Sequence, residues 1–362
     1  MRSQRRCILS TSNKHAHAAG EVSAHVYFIA ALFLSLFVLI LGTGVGSVFI
    51  SPADCTAIIL HKLAGKPLPE SIRSATVGII WNLRLPRILL AFLTGAALSV
   101  SGAVMQSVLK NPLASSFTLG VSSGASLGAG LVILGSVSLP FVDFLTVPGA
   151  GFVFSLLSII LVMRFSRAVD PRLDNNTIIL SGMIFSLFIN AILTMLSVLS
   201  KEALNRLIFW QMGSFALKGW EPLAILVPVT VAGIIGVSFF RRELDIMTFG
   251  DDEAVSLGVN VRRDKRILIA LASILTGSTV AFVGVIGFLD LAVPHIVRRI
   301  FGPSHRTLIP FSVLFGGIFM VLADLLARTL IPPLDLPVGA ITAILGAPFF
   351  AWVYFSSRRN PI

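Results

Sequence analysis

The residues able to do chemistry in this sequence are few. Two carboxylates, Asp290 and Asp324, fall inside long apolar runs, where an ionised group is costly and is usually partnered. Asp324 and Arg328 stand four residues apart on one helix face, so they can pair; they read either as a structural ion pair or with Arg328 on an outward-facing docking surface. Arg84 and Arg87 flank a proline at the head of another apolar run. They read either as interfacial anchors or as a cationic docking surface. Gly120 to Gly124 (GVSSG) fits the G-x-S-x-G pattern of a hydrolase nucleophile. That pattern needs a strand, a turn and a histidine partner. Here it opens a small-residue apolar run, where glycine and serine serve close helix packing. No G-x-x-x-x-G-K-[ST] occurs, because Gly65-Lys66 is followed by Pro67, so ATP binding through a P-loop is not expected. The histidines lack metal-ligand spacing. The two cysteines, Cys7 and Cys55, are expected on opposite sides of a membrane, so no disulfide framework follows. No catalytic residue, metal or cofactor is expected of the chain itself.

The elements that would position these groups are membrane spans. The chain has 362 residues, 55% hydrophobic and 12% charged, against about a quarter charged in a soluble domain. The net charge of +11 reflects scarce Asp and Glu and is no nucleic-acid footprint. Ten spans at ~20 residues fit the length. They read at 26–50, 88–109, 118–139, 143–163, 177–199, 222–240, 267–284, 286–297, 308–331 and 337–356, with a mixed loop over 51–80. The eighth is short for a full crossing. The 26–50 run is too long for a signal-peptide core and reads as an uncleaved first helix. Residues 200–222, with Trp210 and Trp220, read as an interfacial segment. Most Lys and Arg fall in segments that ten spans place on one side. The positive-inside rule therefore puts both termini, 1–25 and 358–362, in the cytoplasm, with the transmembrane domain over 26–357. The run 87–104 echoes 266–284 in the opposite direction, as an inverted repeat would.

The cytoplasmic connection at about 248–266 is unusual. GDDEAVSLGVNV is acidic and then turns at Gly258, with RRDKR following. Acidic residues lead a short helix and Gly258 ends it. A helix–Gly–helix there is a socket for a soluble partner, or else a solvated loop.

Several long stretches, RLPRILLAFLTGAALSVSGAVMQ, KNPLASSFTLGVSSGASLGAG, FWQMGSF, GFLDLAVPHIVRRIFGPSHR, ADLLAR and LPVGAITAILGAPFF, resemble the FecCD-type permeases of iron-siderophore, haem and cobalamin ABC importers. The resemblance spans about residues 28–357. It implies an all-α, ten-helix permease in the inner membrane, working as a homo- or heterodimer amid lipid. It implies two ATP-binding subunits docked on Asp251, Asp252, Glu253, Ala254, Leu257 and Gly258. It implies an extracytoplasmic binding protein received by Arg84, Arg87 and Arg328. Inner gates would fall at Asn111, Pro112 and Leu113 and at Asn175 and Asn176. The implied cargo is an iron complex, foremost a ferric siderophore, with haem or cobalamin as alternatives. An ion-driven secondary transporter stands as the competing class. Where the family commonly has glycine in its G-F-[IV]-G-L stretch this chain has Asp290, which would pair with an arginine or face the path.

Overall fold

The computed structural model describes residues 25–46, 48–136, 143–198 and 201–359. Cys7, the tail before residue 25 and the last three residues lie outside them. The described chain is helical, with no strand. In chain order its helices are α1 (His25–Gly44), α2 (Pro52–Ala64), α3 (Ser74–Val108), α4 (Val121–Gly135), α5 (Asp143–Val169), α6 (Asn175–Ser197) and α7 (Lys201–Gln211). There follow α8 (Glu221–Phe239), α9 (Arg241–Met247), α10 (Asp251–Ser256), α11 (Val261–Val283), α12 (Leu289–Phe301), α13 (His305–Thr329) and α14 (Val338–Arg359). Seven of these are long and apolar enough to cross a membrane: α1, α3, α5, α6, α8, α11 and α13. With α4, α12 and α14, whose apolar stretches are shorter, ten elements stand at the ten expected places.

The centre is α3, α11 and α13, which bury most of their surface. Lipid gives no hydrophobic drive between helices, so close contact depends on small residues. A Cβ on Gly95 would sit 2.1 Å from the Gly316 carbonyl oxygen, and one on Gly316 would sit 2.4 Å from that of Gly95. The glycines of GVSSG do the same on the flank: a Cβ on Gly124 would lie 2.5 Å from the Phe154 carbonyl oxygen of α5. The motif is therefore a packing surface. The two halves of the sequence echo are α3 and α11. They pack directly, with Ser101 Oγ 2.9 Å from the Ala272 carbonyl and 2.7 Å from Thr276 Oγ1, and they run in opposite directions.

Several boundaries differ from the sequence reading, each for a local reason. Residues 51–80 are not a loop. Ser51 caps α2 by accepting from Asp54 N–H, and Gly65 ends it with φ +65°. From Ser74 the chain is helical into α3, through a π-type stretch at Ile79–Arg84. α1 stops at Gly44, six residues early, because the carbonyls of Thr43 and Gly44 bond a side chain instead. The cytoplasmic connection stops at Asn260, not 266. The Asn260 side chain accepts from Arg263 N–H and caps α11, so the basic cluster forms that helix's first turns.

α4 and α12 are half-length and open on left-handed residues, Gly120 (φ +86°) and Phe288 (φ +67°). The segment joining α3 to α4 turns back into the bundle. Ser116 Oγ lies 2.8 Å from Ser101, seven residues before the end of α3 and so roughly 10 Å in. Irregular backbone at such depth is tolerated only where protein or a cavity covers it.

Candidate functional site

The three predicted arginines come together at the outer end of α1, α3 and α13, but they are turned inward. Arg84 Nη1 donates to the carbonyls of Thr43 (3.2 Å) and Gly44 (2.8 Å), and Nη2 to that of Val48 (2.6 Å). It caps the carbonyl end of α1, where a cation also suits the helix dipole. A Cβ on Gly46 would collide with its guanidinium at 2.7 Å, so the glycine makes the space. Arg328 donates to the Gly42 carbonyl and lies 3.6 Å from Asp324. The i,i+4 pair therefore exists, but it is the weaker of the two contacts Asp324 makes. Arg87 Nε reaches both Asp324 oxygens at 2.9 and 3.1 Å, while Nη1 holds Asp335 at 2.9 Å. Asp324 is fully buried, the Arg87 side chain is 12% exposed, and Asp335 is exposed at the rim. Arg84 and Arg328 are buried, Arg328 beside Asp324 as its spacing allowed, while Arg87 is partly buried.

At the inner end the structure joins three segments that were read separately. Asp251, the first residue of α10, pairs with Lys110 at 2.6 Å and with Lys265 at 2.7 Å. Lys110 begins the Asn111-Pro112-Leu113 turn, where Asn111 Oδ1 accepts from Leu113 N–H. Lys265, with 1% of its side chain exposed, also donates to Asn175 Oδ1 (2.7 Å) and the Leu173 carbonyl (3.4 Å). Asn176 N–H is taken by Asp174, which caps α6. One carboxylate is thus linked to both predicted gate loops, through Lys110 beside Asn111 and through Lys265 to Asn175. Burial pushes the Asp251 carboxyl up, but the hydrogen bonds from Lys110 and Lys265 outweigh it and hold it below the usual carboxylate range. The rest of the segment behaves as expected of a short helix ended by glycine. Ala254 is buried, Gly258 has φ +85°, and Asp252, Glu253 and Leu257 face outward.

Lys265 and Lys110 were missed as site residues because they were counted with the basic loops. A signal was present: Val261, Lys265, Leu268, Ile269 and Ala272 fall on one helical face, and all are buried.

A cavity of about 590 Å³ opens between the first turns of α4 and α12 and one face of α6. Its wall includes Thr118, Ser122, Ser123, Ser186 and Asp290, with Met183 at its edge. Asp290 is buried and its carboxylate takes the Ser115 hydroxyl. It therefore pairs with a serine rather than an arginine and also lies on the cavity wall. The Arg298 guanidinium, on the same helix, engages Gln106 instead.

Half-length helices thus meet, inside a ten-element bundle, at a cavity whose wall mixes serine and threonine hydroxyls with apolar side chains. The chain belongs to the FecCD transport family, whose model it matches over residues 32–356. It is 40% identical to the uncharacterised ABC transporter permease YvrB of Bacillus subtilis, over 92% of this chain and 94% of that one. It is 39% identical to the hemin transport system permease HmuU of Yersinia pestis, over 78% and 84%. A solved structure described as the inward-facing conformation of a metal-chelate type ABC transporter superposes with a TM-score of 0.79. It is 29% identical and covers 91% of this chain and 99% of that one. Other relatives are named for cobalamin and iron(III)-citrate import. The chain is a multi-pass inner-membrane permease of the ABC importer class, a transport subunit and not itself an enzyme.

Proposed function

We propose that this permease imports an iron complex, a ferric siderophore, using ATP hydrolysed on two separate subunits docked at α10. The observation that carries the docking is the surface of the cytoplasmic segment. Phe249 is 79%, Val255 61% and Leu257 65% exposed, beside the acidic Asp252 and Glu253 in the connection between two spans. Exposed apolar side chains rimmed by charge mark an interaction surface. The Asp251 ion pairs then carry the push of the ATPase to the two gate loops, Asn111-Pro112-Leu113 and Asn175-Asn176.

The binding protein docks on the outer face above Arg84, Arg87 and Arg328. Arg87 is the contact that solvent can reach, and an acidic side chain of the binding protein competes with Asp335 for it. Arg84 and Arg328 hold the ends of α1 and α13 beneath that contact. A second permease chain, identical or a sister, closes the cavity along α6. The cavity volume suits an organic chelate, and the relatives' names for haem, cobalamin and iron(III)-citrate bound the cargo class.

Purification from native membranes in mild detergent tests the assembly, with partners identified by mass spectrometry. Co-isolation of an ATP-binding subunit and a binding protein is expected. ATP-dependent uptake of radiolabelled iron by the reconstituted complex, offered in turn as siderophore and haem beside labelled cobalamin, tests the cargo. Uptake that runs on an ion gradient without any ATPase would overturn the reading.

A further inference from the structure

A row of polar side chains runs from α9, on the cytoplasmic side, to the wall of the cavity. Asp245 of α9 accepts from His305 N–H at 2.8 Å and from His305 Nδ1 at 2.6 Å. His305 is the first residue of α13 and only 1% of its side chain is exposed. Its Nε2 lies 2.8 Å from Ser107 Oγ on α3. Arg298 of α12 donates through Nη2 to the same Ser107 oxygen (3.1 Å) and to the Ala103 carbonyl (3.0 Å), and through Nη1 to Gln106 Oε1. Gln106 Nε2 then donates to the carbonyls of Asp290 (3.2 Å) and Leu291 (3.3 Å), in the first turn of α12. The Asp290 side chain stands on the cavity wall. The row therefore joins α9, α13, α3 and α12 without a gap.

Ser107, Gln106, His305 and Asp290 are all buried. A buried polar group stripped of its partner is costly, and more so in an apolar bundle. Movement of α9 therefore either drags the start of α13 and the turn of α12 with it or breaks several buried bonds. The first is the cheaper course. We propose that Asp245, His305, Ser107, Arg298 and Gln106 form a positioning relay that carries displacement of the α9–α10 segment to the Asp290 wall of the cavity. The relay rests on the reading of α10 as the ATPase contact, and it adds a second line of transmission beside the Asp251 node.

The test uses the complete complex of permease, ATPase and binding protein in proteoliposomes, reading substrate moved per ATP hydrolysed. Asp245→Ala and Gln106→Leu cut opposite ends of the relay. Each is expected to leave a complex that assembles and hydrolyses ATP, with transport per ATP lowered about tenfold. The double variant is expected to be no worse than either single one, since a relay is cut once. A merely structural role would instead lower assembled complex, hydrolysis and uptake together, and would overturn the proposal. So would unchanged coupling, or losses that multiply in the double variant. If Asp245→Ala fails to assemble, Ser107→Ala removes one central hydroxyl and carries the same expectation. Absence of ATP-driven uptake in the wild-type complex overturns the importer reading and the relay with it. Intact wild-type uptake with unaltered variants overturns the relay alone.

Discussion

Replacing Asp324 with Asn should destabilise the permease strongly, although the change is nearly isosteric. The carboxylate has no exposed surface, is held bidentate by Arg87 Nε at 2.9 and 3.1 Å and lies 3.6 Å from Arg328. Asn removes the only negative charge on Arg328 among the described ion pairs. It leaves Arg87 with Asp335 alone, which is itself exposed. Breaking a buried pair by neutralising one partner costs about 3–5 kcal/mol. Arg87 keeps Asp335 and Arg328 keeps the Gly42 carbonyl, so the low end applies. About 3 kcal/mol is a factor of roughly a hundred in the unfolding equilibrium. Thermal unfolding of the purified permease in detergent should show a midpoint several degrees below wild type. The triple variant Arg87→Met, Asp324→Leu, Arg328→Met should recover most of that loss, because no charge is then left buried. An Asp324→Asn protein that melts with the wild type would refute the reasoning. The same geometry makes charge reversal at Arg84 or Arg87 a poor probe of docking, since it disrupts the fold first. Asp335→Asn is the cleaner probe: it should leave the melting midpoint within a degree or two and alter binding-protein affinity.

Phe249→Glu with Leu257→Glu should abolish co-purification of the ATPase while leaving the permease's own melting curve in place, because both side chains are exposed. Asp251 titrates below its ordinary value, so its stabilisation is present above the unfolded carboxylate value of about 4 and fades as pH falls through the lower folded one. The difference in melting between wild type and Asp251→Asn should therefore stay constant from about pH 8 to 5 and shrink below about pH 4. A difference that instead grew on acidification would reverse the sign. Gly95→Ala should prevent correct packing of α3 on α13, because its Cβ would meet the Gly316 carbonyl oxygen at 2.1 Å; Gly149→Ala, where nothing lies within 4 Å, should be neutral or stabilising by about 0.5–1 kcal/mol. The yield of monodisperse protein reads both.

Sequence alone determined the class of molecule and where its membrane spans fall. Apolar runs of membrane length, basic residues gathered on one side and small residues in the runs are local properties, and lipid makes them decisive by forbidding unpaired backbone. The acidic start and glycine stop of α10 were legible for the same reason: capping acts within a few residues. What only the tertiary structure decided is the partner of each charge. Arg87 meets Asp324 across 237 residues, His305 meets Asp245 across 60, and Lys265 gathers Asp251 from one segment and Asn175 with Leu173 from another. Arg84 could be read from its surroundings as an anchor or a docking group, yet it closes the end of α1. A charge buried among helices takes whichever partner the packing brings within reach, and that packing was set by glycine contacts such as Gly95 on Gly316, which sequence spacing alone does not pair.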